Sequence, residues 1–219
     1  SGVVNIALEG IMTMGAFTGI LFLNMTGGKM GGQFQLALAI LISTATGAAF
    51  AFFHAYASIN MKANQTISGT ALNMFAPAFA IFVARVIQGV QQIQFNNTFR
   101  IESVPVLGKI PFSNTFRITK VQVLGDIPVL GPLLFQNTYI TTYLGILILI
   151  ASTLVLYRTR FGLRLRSCGE HPQAADAAGI NVYRMQYAGV LISGVLGGLG
   201  GLVFVVPTST NFNADVAGY

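Results

Sequence analysis

The chain has 219 residues, of which 53% are hydrophobic and only 8% charged, with twelve Lys and Arg against six Asp and Glu. Soluble domains carry about 25% charged residues. With a mean hydropathy of +0.68, the composition excludes a disordered chain, a secreted disulfide scaffold and an ordinary soluble enzyme. The single Cys168 excludes an internal disulfide.

Residues 10–28, 30–61, 63–84, 127–157 and 185–214 contain no Asp, Glu, Lys or Arg, and each run is at least 19 residues long. A membrane helix needs about 20 mostly apolar residues, whereas a barrel strand needs about 9–11 that alternate with polar ones. The fold class is therefore an all-α polytopic membrane protein with about five transmembrane helices. The net charge of +6 does not point to nucleic acid, because the basic residues flank apolar runs, where they orient helices.

The first apolar segment covers about 4–24. It holds Gly2, Gly10, Gly15 and Gly19 close by, with Asn5 and Glu9 at its start, and this predicts an interrupted or half-membrane helix. Irregular backbone at membrane depth survives only where protein covers it or it lines a cavity. The second segment, 34–57, is rich in Ala and Leu with few breakers. The third, 69–90, carries Arg85 five residues before the following loop, near enough to snorkel to the interface.

Residues 91–137 differ in kind, with six charged residues and four prolines. Asn97-Thr-Phe-Arg-Ile101 recurs as Asn114-Thr-Phe-Arg-Ile118, and the 17-residue copies share eleven identities. Each copy reads as a short strand closed by a Gly-x-Ile-Pro turn. The pattern predicts a small external β-ribbon, too short for a solenoid.

The fourth segment is 138–156. A polar loop over 157–187 follows, opened by Arg158, Arg160, Arg164 and Arg166. Pro172 and Gly179 bracket an Ala-rich stretch, which predicts one short helix over about 172–178. The fifth segment, 187–206, contains Gly194/Gly198 and Gly197/Gly201 at GxxxG spacing, suited to close helix packing or to a hinge. Alternating crossings put 58–68 and 157–186 on one side, 25–33 and 91–137 on the other. Four Arg within nine residues favour the Arg158 side as cytoplasmic. The first residue is Ser rather than Met, no basic leader is visible, and both ends read as cuts through a larger domain.

No HExxH, Gly-x-Ser-Gly, P-loop lysine motif or dinucleotide fingerprint occurs, and no metal-ligand cluster is visible, so neither an enzyme nor a cofactor is expected. His54 reads as interfacial at a helix end and His171 as a solvated loop residue. Glu9 reads either as an intramembrane carboxylate met by backbone N–H groups or as a surface one. The remaining polar residues in the helices, among them Asn5, Thr13, Ser43, Thr46, Ser68 and Asn73, are uncharged. Most suit interhelical hydrogen bonds, and a subset suits a path for a neutral solute.

Four motifs in order carry a family resemblance. Gly2-Val-Val-Asn-Ile-Ala-Leu-Glu-Gly10 with Met14-Gly-Ala-Phe17 resembles the opening of ABC importer permeases of the simple sugar and nucleoside type. Gln65-Thr-Ile-Ser-Gly69 with Leu72-Asn73 also fits. Phe161-Gly-Leu-Arg-Leu-Arg166, Gly169-Glu-His-Pro-Gln-Ala-Ala175 and Ala178-Gly-Ile180 resemble the coupling loop, and Ile192-Ser-Gly194 through Gly201 the Gly-rich helix after it. The resemblance implies one partial permease domain over 1–219, lacking its first and last helices, in the bacterial cell membrane. It implies an extracytoplasmic loop at 91–137, and a cytoplasmic coupling loop at 157–186 that binds an ATPase subunit through Glu170, Pro172, Ala174, Ala175, Gly179 and Ile180. In the wider permease pattern a Glu precedes the Ala pair, and here Gln173 stands in its place. Further implied partners are a second permease subunit, a lipoprotein solute receptor and the lipid membrane. On this reading Asn5, Glu9 and Asn73 belong to the path, and Gly194, Gly197, Gly198 and Gly201 pack helices. The solute implied is a nucleoside, with a simple sugar or a transporter working without an ATPase as the alternatives.

Overall fold

The structure, a computed structural model, describes residues 2–26, 32–89, 93–94, 112–113, 117–120, 136–208 and 211–212. Its helices are α1 (Leu8–Met25), α2 (Gly32–Ile59), α3 (Gln65–Gln88), α4 (Ile140–Arg158), α5 (Arg160–Glu170), α6 (Pro172–Ala177) and α7 (Val182–Thr208). Stretches within α1, α2, α3 and α7 are long and apolar enough to cross a membrane; α4 and α5 together make a fifth candidate, bent by 74° at the break between them. The all-α polytopic class stands.

Helix α1 lies at the centre of the bundle. In its spanning window 56% of the residues are buried, against 17% in α3, and its sides pack on α2, α3 and α7. The core runs through Ile11, Met14, Phe17, Ile20 and Leu23 of α1, with Ala39 and Ala51 of α2, Ala76, Ala80 and Ala84 of α3, and Val190, Leu202 and Val205 of α7. The small alanines let backbones approach, which replaces the hydrophobic drive that lipid does not supply. Large side chains such as Leu41, Met74, Phe82 and Leu149 point outward, as a bilayer solvent permits. Pro77 lies inside α3. It has no N–H for the Asn73 carbonyl, so the ladder is open at that turn.

Two details of the sequence reading are corrected. First, the two-copy ribbon expected over 91–137 is not borne out. The described strands are β1 (Ile93–Gln94), β2 (Phe112–Ser113), β3 (Arg117–Lys120), β4 (Gln136–Tyr139) and β5 (Asn211–Phe212). Strand β3 lies within the second repeat copy. It is flanked by β2, at the end of the first copy, and by β4, beyond the repeat, with Phe112 opposite Ile118 and Ile118 opposite Thr138. Both its edges are thus taken, and the two repeat copies do not pair as equivalents. A short hairpin closes at lower entropic cost than a pairing over a full repeat. The first copy's Asn97–Ile101 lies outside the described residues, as does Asp215. Strand β1 pairs with β5, tying the segment after α3 to the one after α7.

Second, 157–187 is not a loop with one short helix. It begins with α5, eleven residues capped by Thr159, whose Oγ1 accepts from the Gly162 N–H at 3.2 Å. The signal was present: Phe161, Leu165 and Cys168 recur at helical spacing beside Arg160 and Arg164. The four arginines drew the reading toward loop.

Candidate functional site

Residues Gly2–Ala7 precede α1 without forming a helix, although residues 4–7 fall in the first apolar segment of the sequence. Asn73 sits eight residues into α3, about 12 Å along it at 1.5 Å per residue. The segment it holds therefore runs from the N-terminal end of α3, where Val4 meets Gln65, about two turns into the bundle. Backbone polar groups turned away from water need protein partners, and three side chains, Asn73, Gln65 and His54, supply them.

Asn73 holds the entry to α1 from two sides. Its Oδ1 accepts from the Gly10 N–H at 2.8 Å, and its Nδ2 donates to the Ile6 carbonyl at 3.0 Å. The Val4 N–H donates to Gln65 Oε1 at 3.0 Å. His54 Nε2 lies 3.2 Å from the Val4 carbonyl oxygen and Nδ1 3.1 Å from Ser68 Oγ. A carbonyl only accepts, so Nε2 carries the proton in this arrangement, leaving Nδ1 to accept from the Ser68 hydroxyl. Asn5 Nδ2 donates to Ser193 Oγ of α7 at 3.0 Å. Its Oδ1 is buried without a partner among the described residues.

Two backbones make this approach possible. A Cβ on Gly10 would stand 2.7 Å from the Leu72 carbonyl oxygen, and one on Gly69 would stand 2.6 Å from the Ile6 Cβ. The motif Gly2–Gly10 and the motif Gln65–Asn73 are therefore one contact surface. The sequence reading made Asn5 and Asn73 path residues; the structure joins both to the irregular segment. It leaves Glu9 apart, exposed in the first turn of α1, where a carboxylate complements the helix dipole. The expectation for His54 is corrected: it is fully buried and belongs to the clamp. His54, Gln65, Ser68 and Ser193 were missed as a set because they share a partner, the irregular segment, that no local pattern reveals.

At the end of the bundle where this segment enters, α6 lies on the connection between α5 and α7. Pro172 occupies its first turn. It closes through the Gly179 N–H to the Asp176 carbonyl at 2.8 Å and the Ile180 N–H to the Ala175 carbonyl at 3.0 Å. Gly179 has φ +80°, and no heavy atom lies within 4 Å of where a Cβ would stand, so glycine is there for its backbone and not for space. Glu170, Pro172, Ala174 and Gly179 are exposed, Ile180 is half-buried and Ala175 is buried. Ala175 thus seats α6 on its own chain, while Ala174 faces out. Between α6, the start of α7 and the irregular segment lies a cleft of about 390 Å³, whose walls include Gly2, Val3, Ser58, Gln65, Asp176 and Gln186. Tyr187 Oη donates to Asn60 Oδ1 at 2.7 Å. These contacts put the α2–α3 connection and the α5–α7 connection at the same end.

The glycines of α7 meet the other two helices of the central trio. A Cβ on Gly15 would come within 2.5 Å of the Gly198 Cα, and one on Gly198 would meet the Ser43 carbonyl and lie 3.0 Å from the Gly47 Cα. Gly194 faces Gly47 and Ala51, Gly201 faces Met12, and Gly197 faces Leu8 and Ile11. Ser43 Oγ donates to the Gly198 carbonyl at 2.6 Å. No group of three or more His, Cys, Asp or Glu able to hold a metal ion occurs among the described residues.

An irregular segment clamped by polar side chains inside a bundle of long apolar helices is construction that multi-pass membrane proteins tolerate only under protein cover. The chain belongs to the family of branched-chain amino acid transport system permease components, whose family profile matches residues 1–217. It is 43% identical over 214 residues to the nucleoside ABC transporter permease protein NupC of Lactococcus lactis, covering 98% of this chain and 62% of that protein. It is 45% identical over 213 residues to the guanosine ABC transporter permease protein NupQ of Bacillus subtilis, covering 97% and 61%. The putative glucose ABC transporter permease protein TsgC13 of Haloferax volcanii is 30% identical over 206 residues, covering 92% and 54%. The chain thus spans about three fifths of the length of the two nucleoside permeases. No solved structure matches it. Family and spans together make it a multi-pass protein of the plasma membrane.

Proposed function

We propose that this chain forms the membrane path of an ATP-driven importer whose solute is a nucleoside. The observation that carries the reading is the identity of 43% and 45%, across nearly the whole chain, to two permeases named for nucleoside and guanosine. A single permease domain over 1–219 works by alternating access. An extracytoplasmic lipoprotein receptor delivers the solute on the side of 91–137, and a second permease subunit completes the path. An ATPase subunit docks on the cytoplasmic connection 157–186, and ATP is hydrolysed there and not by this chain.

Helix α6 is the docking element. Glu170, Pro172, Ala174 and Gly179 form its outward side, and Ala175 and Ile180 hold it to the bundle. The cleft beneath α6 reaches Gly2 and Val3, so a push on α6 is felt first by the irregular segment. Asn5 and Asn73 set the position of that segment, and Glu9, exposed in the first turn of α1, faces the path. The glycines Gly194, Gly197, Gly198 and Gly201 keep α1, α2 and α7 together while the outer helices move. A simple sugar is the second reading, favoured by the 30% identity to the putative glucose permease.

The test is uptake by proteoliposomes holding the full-length permease, its ATPase and its receptor. Labelled guanosine should accumulate only with ATP and the receptor, and unlabelled ribose or glucose should not compete. Competition by the sugar would select the second reading, and accumulation on an ion gradient without ATP would remove the importer reading. In the same complex Ala174→Cys should cross-link to the ATPase subunit. Ala175→Cys, turned into its own chain, should give little product. The reverse ranking would sink the assignment of α6 as the docking element.

A further inference from the structure

An apolar cleft of about 820 Å³ separates α4 from the rest of the bundle. Its walls include Met12 of α1, Leu147 and Val155 of α4, Phe161 and Leu165 of α5, and Leu196 of α7. Helix α4 makes its main helix contacts with α5, at the bend, so the cleft is the space between a detached helix and the bundle. Along α4 the lining residues run from Leu147 to Leu156, a depth of about 13 Å at 1.5 Å per residue. Half of a bilayer's hydrocarbon core is about 15 Å. The cleft has the depth of one leaflet.

One end of the cleft is basic. Helix α5 turns 74° away from α4, the attitude of a helix lying in the interface. Arg160 and Arg164 each precede a lining residue, Phe161 and Leu165, so at 3.6 residues per turn they form a row along the edge of the lining row. Arg158 stands one turn beyond Val155. All three are exposed, and none has a carboxylate partner among the described residues. Arg166 lies over the Tyr157 ring, 4.8 Å from its centroid. Between Tyr157 and Gly169 no acidic residue occurs.

We propose that the elbow between α4 and α5 is a site for an anionic phospholipid. One acyl chain fills the cleft, and the phosphate of the headgroup is held by Arg160 and Arg164, with Arg158 at the rim. Apolar walls one leaflet deep suit the chain. Unpaired guanidiniums at the headgroup level suit the phosphate, since basic pockets between spanning helices select anionic headgroups. This inference rests on the multi-pass fold alone and holds or fails independently of the solute.

The test uses the full-length permease with Leu147→Trp, which places an indole on the cleft wall, reconstituted in nanodiscs. These 219 residues contain no tryptophan, and any quenching of indoles elsewhere in the full chain is subtracted using the unsubstituted protein. Acyl-brominated phosphatidylglycerol and acyl-brominated phosphatidylcholine are compared at equal mole fraction in unbrominated phosphatidylcholine. The expected half-quenching fraction is at least about fivefold lower for phosphatidylglycerol, from roughly a fivefold gain for each arginine at the surface. Arg160→Gln with Arg164→Gln should bring the two lipids level, whereas Arg160→Lys with Arg164→Lys should keep most of the preference. In the protein carrying only Leu147→Trp, raising salt tenfold should also shrink the preference through screening, with no further substitution. Equal quenching by both lipids would overturn the headgroup assignment. Quenching by neither would show that another segment of the protein fills the cleft, and would overturn the proposal entirely.

Discussion

Gly198→Leu should sharply lower the thermal stability of the permease and its yield of folded, monodisperse protein. The residue sits where α7 crosses α1 and α2, and even a Cβ there would meet the Ser43 carbonyl and crowd the Gly47 Cα at 3.0 Å. These neighbours are backbone atoms of a packed helix, so no rotamer change relieves the contact. The helices must separate, which forfeits dispersion along both interfaces and the Ser43 Oγ–Gly198 carbonyl hydrogen bond of 2.6 Å. Overpacking a core costs about 1–3 kcal/mol and sometimes more, and an interhelical hydrogen bond in a membrane adds about 0.6 kcal/mol on average. A combined loss of about 3 kcal/mol is a large part of a typical total stability of about 5–15 kcal/mol. Thermal unfolding in detergent, read by monodispersity on a sizing column, checks this. Gly198→Ala should fall between wild type and leucine. Gly145→Leu is the control: no heavy atom lies within 4 Å of its Cβ position, and leucine has the better helix propensity. Equal loss at both positions would refute the crossing as the cause.

Asn73→Ala should cost a comparable amount, by a different route. It strands the Gly10 N–H and the Ile6 carbonyl together, where other protein groups are already committed. A buried backbone group left unsatisfied costs about 1–3 kcal/mol, so the pair costs roughly 2–6 kcal/mol. Asn73→Leu separates the causes, because it restores side-chain volume without restoring either hydrogen bond. If lost bonds dominate, leucine should be as harmful as alanine. Full recovery with leucine would mean that the cavity, not the bonding, is what matters. Hydrogen exchange at the Gly10 amide gives a local readout, which should quicken in both variants even if global unfolding barely shifts.

The fold was legible where a signal is carried by composition. The apolar segments within the charge-free runs located α1, α2, α3, α4 and α7 to within about five residues, because desolvating a charge in lipid is costly enough to exclude it from those runs. The Gly2–Ala7 break was legible in kind, from glycines beside Asn5 and Glu9, but not in its bonding. His54 shows why: its partners are Ser68 and Val4, fourteen and fifty residues away, and nothing about a lone histidine at a helix end announces either. The α6 helix was read correctly from Pro172 and Gly179, whereas α5 was missed, because four arginines outweighed a clear helical spacing. The repeat at 97–130 misled in the other direction. Sequence identity between copies does not make them pair: β3 takes β2 and β4 as its neighbours. For the site, the motifs were visible but their mutual contact was not. That the Gly10 and Asn73 motifs touch, or that Ala175 turns inward while Ala174 turns out, needs coordinates.

The contact between Asn5 and Ser193 spans 188 residues of sequence, and this has a consequence for how the protein is made. At about 5–20 residues per second, Ser193 leaves the ribosome roughly 10–40 s after Asn5. Once Asn73 has emerged, about a third of the way through that interval, the Gly2–Ala7 segment has its α2 and α3 partners, His54, Gln65 and Asn73, but lacks α7 on its remaining side. A newly inserted chain must therefore wait in the bilayer with that flank open, shielded by lipid headgroups, water or an insertion factor, until α7 arrives and seals it. Biogenesis of this segment ends at α7, and damage to that late step would show first as a chain that inserts on schedule but is cleared before it matures.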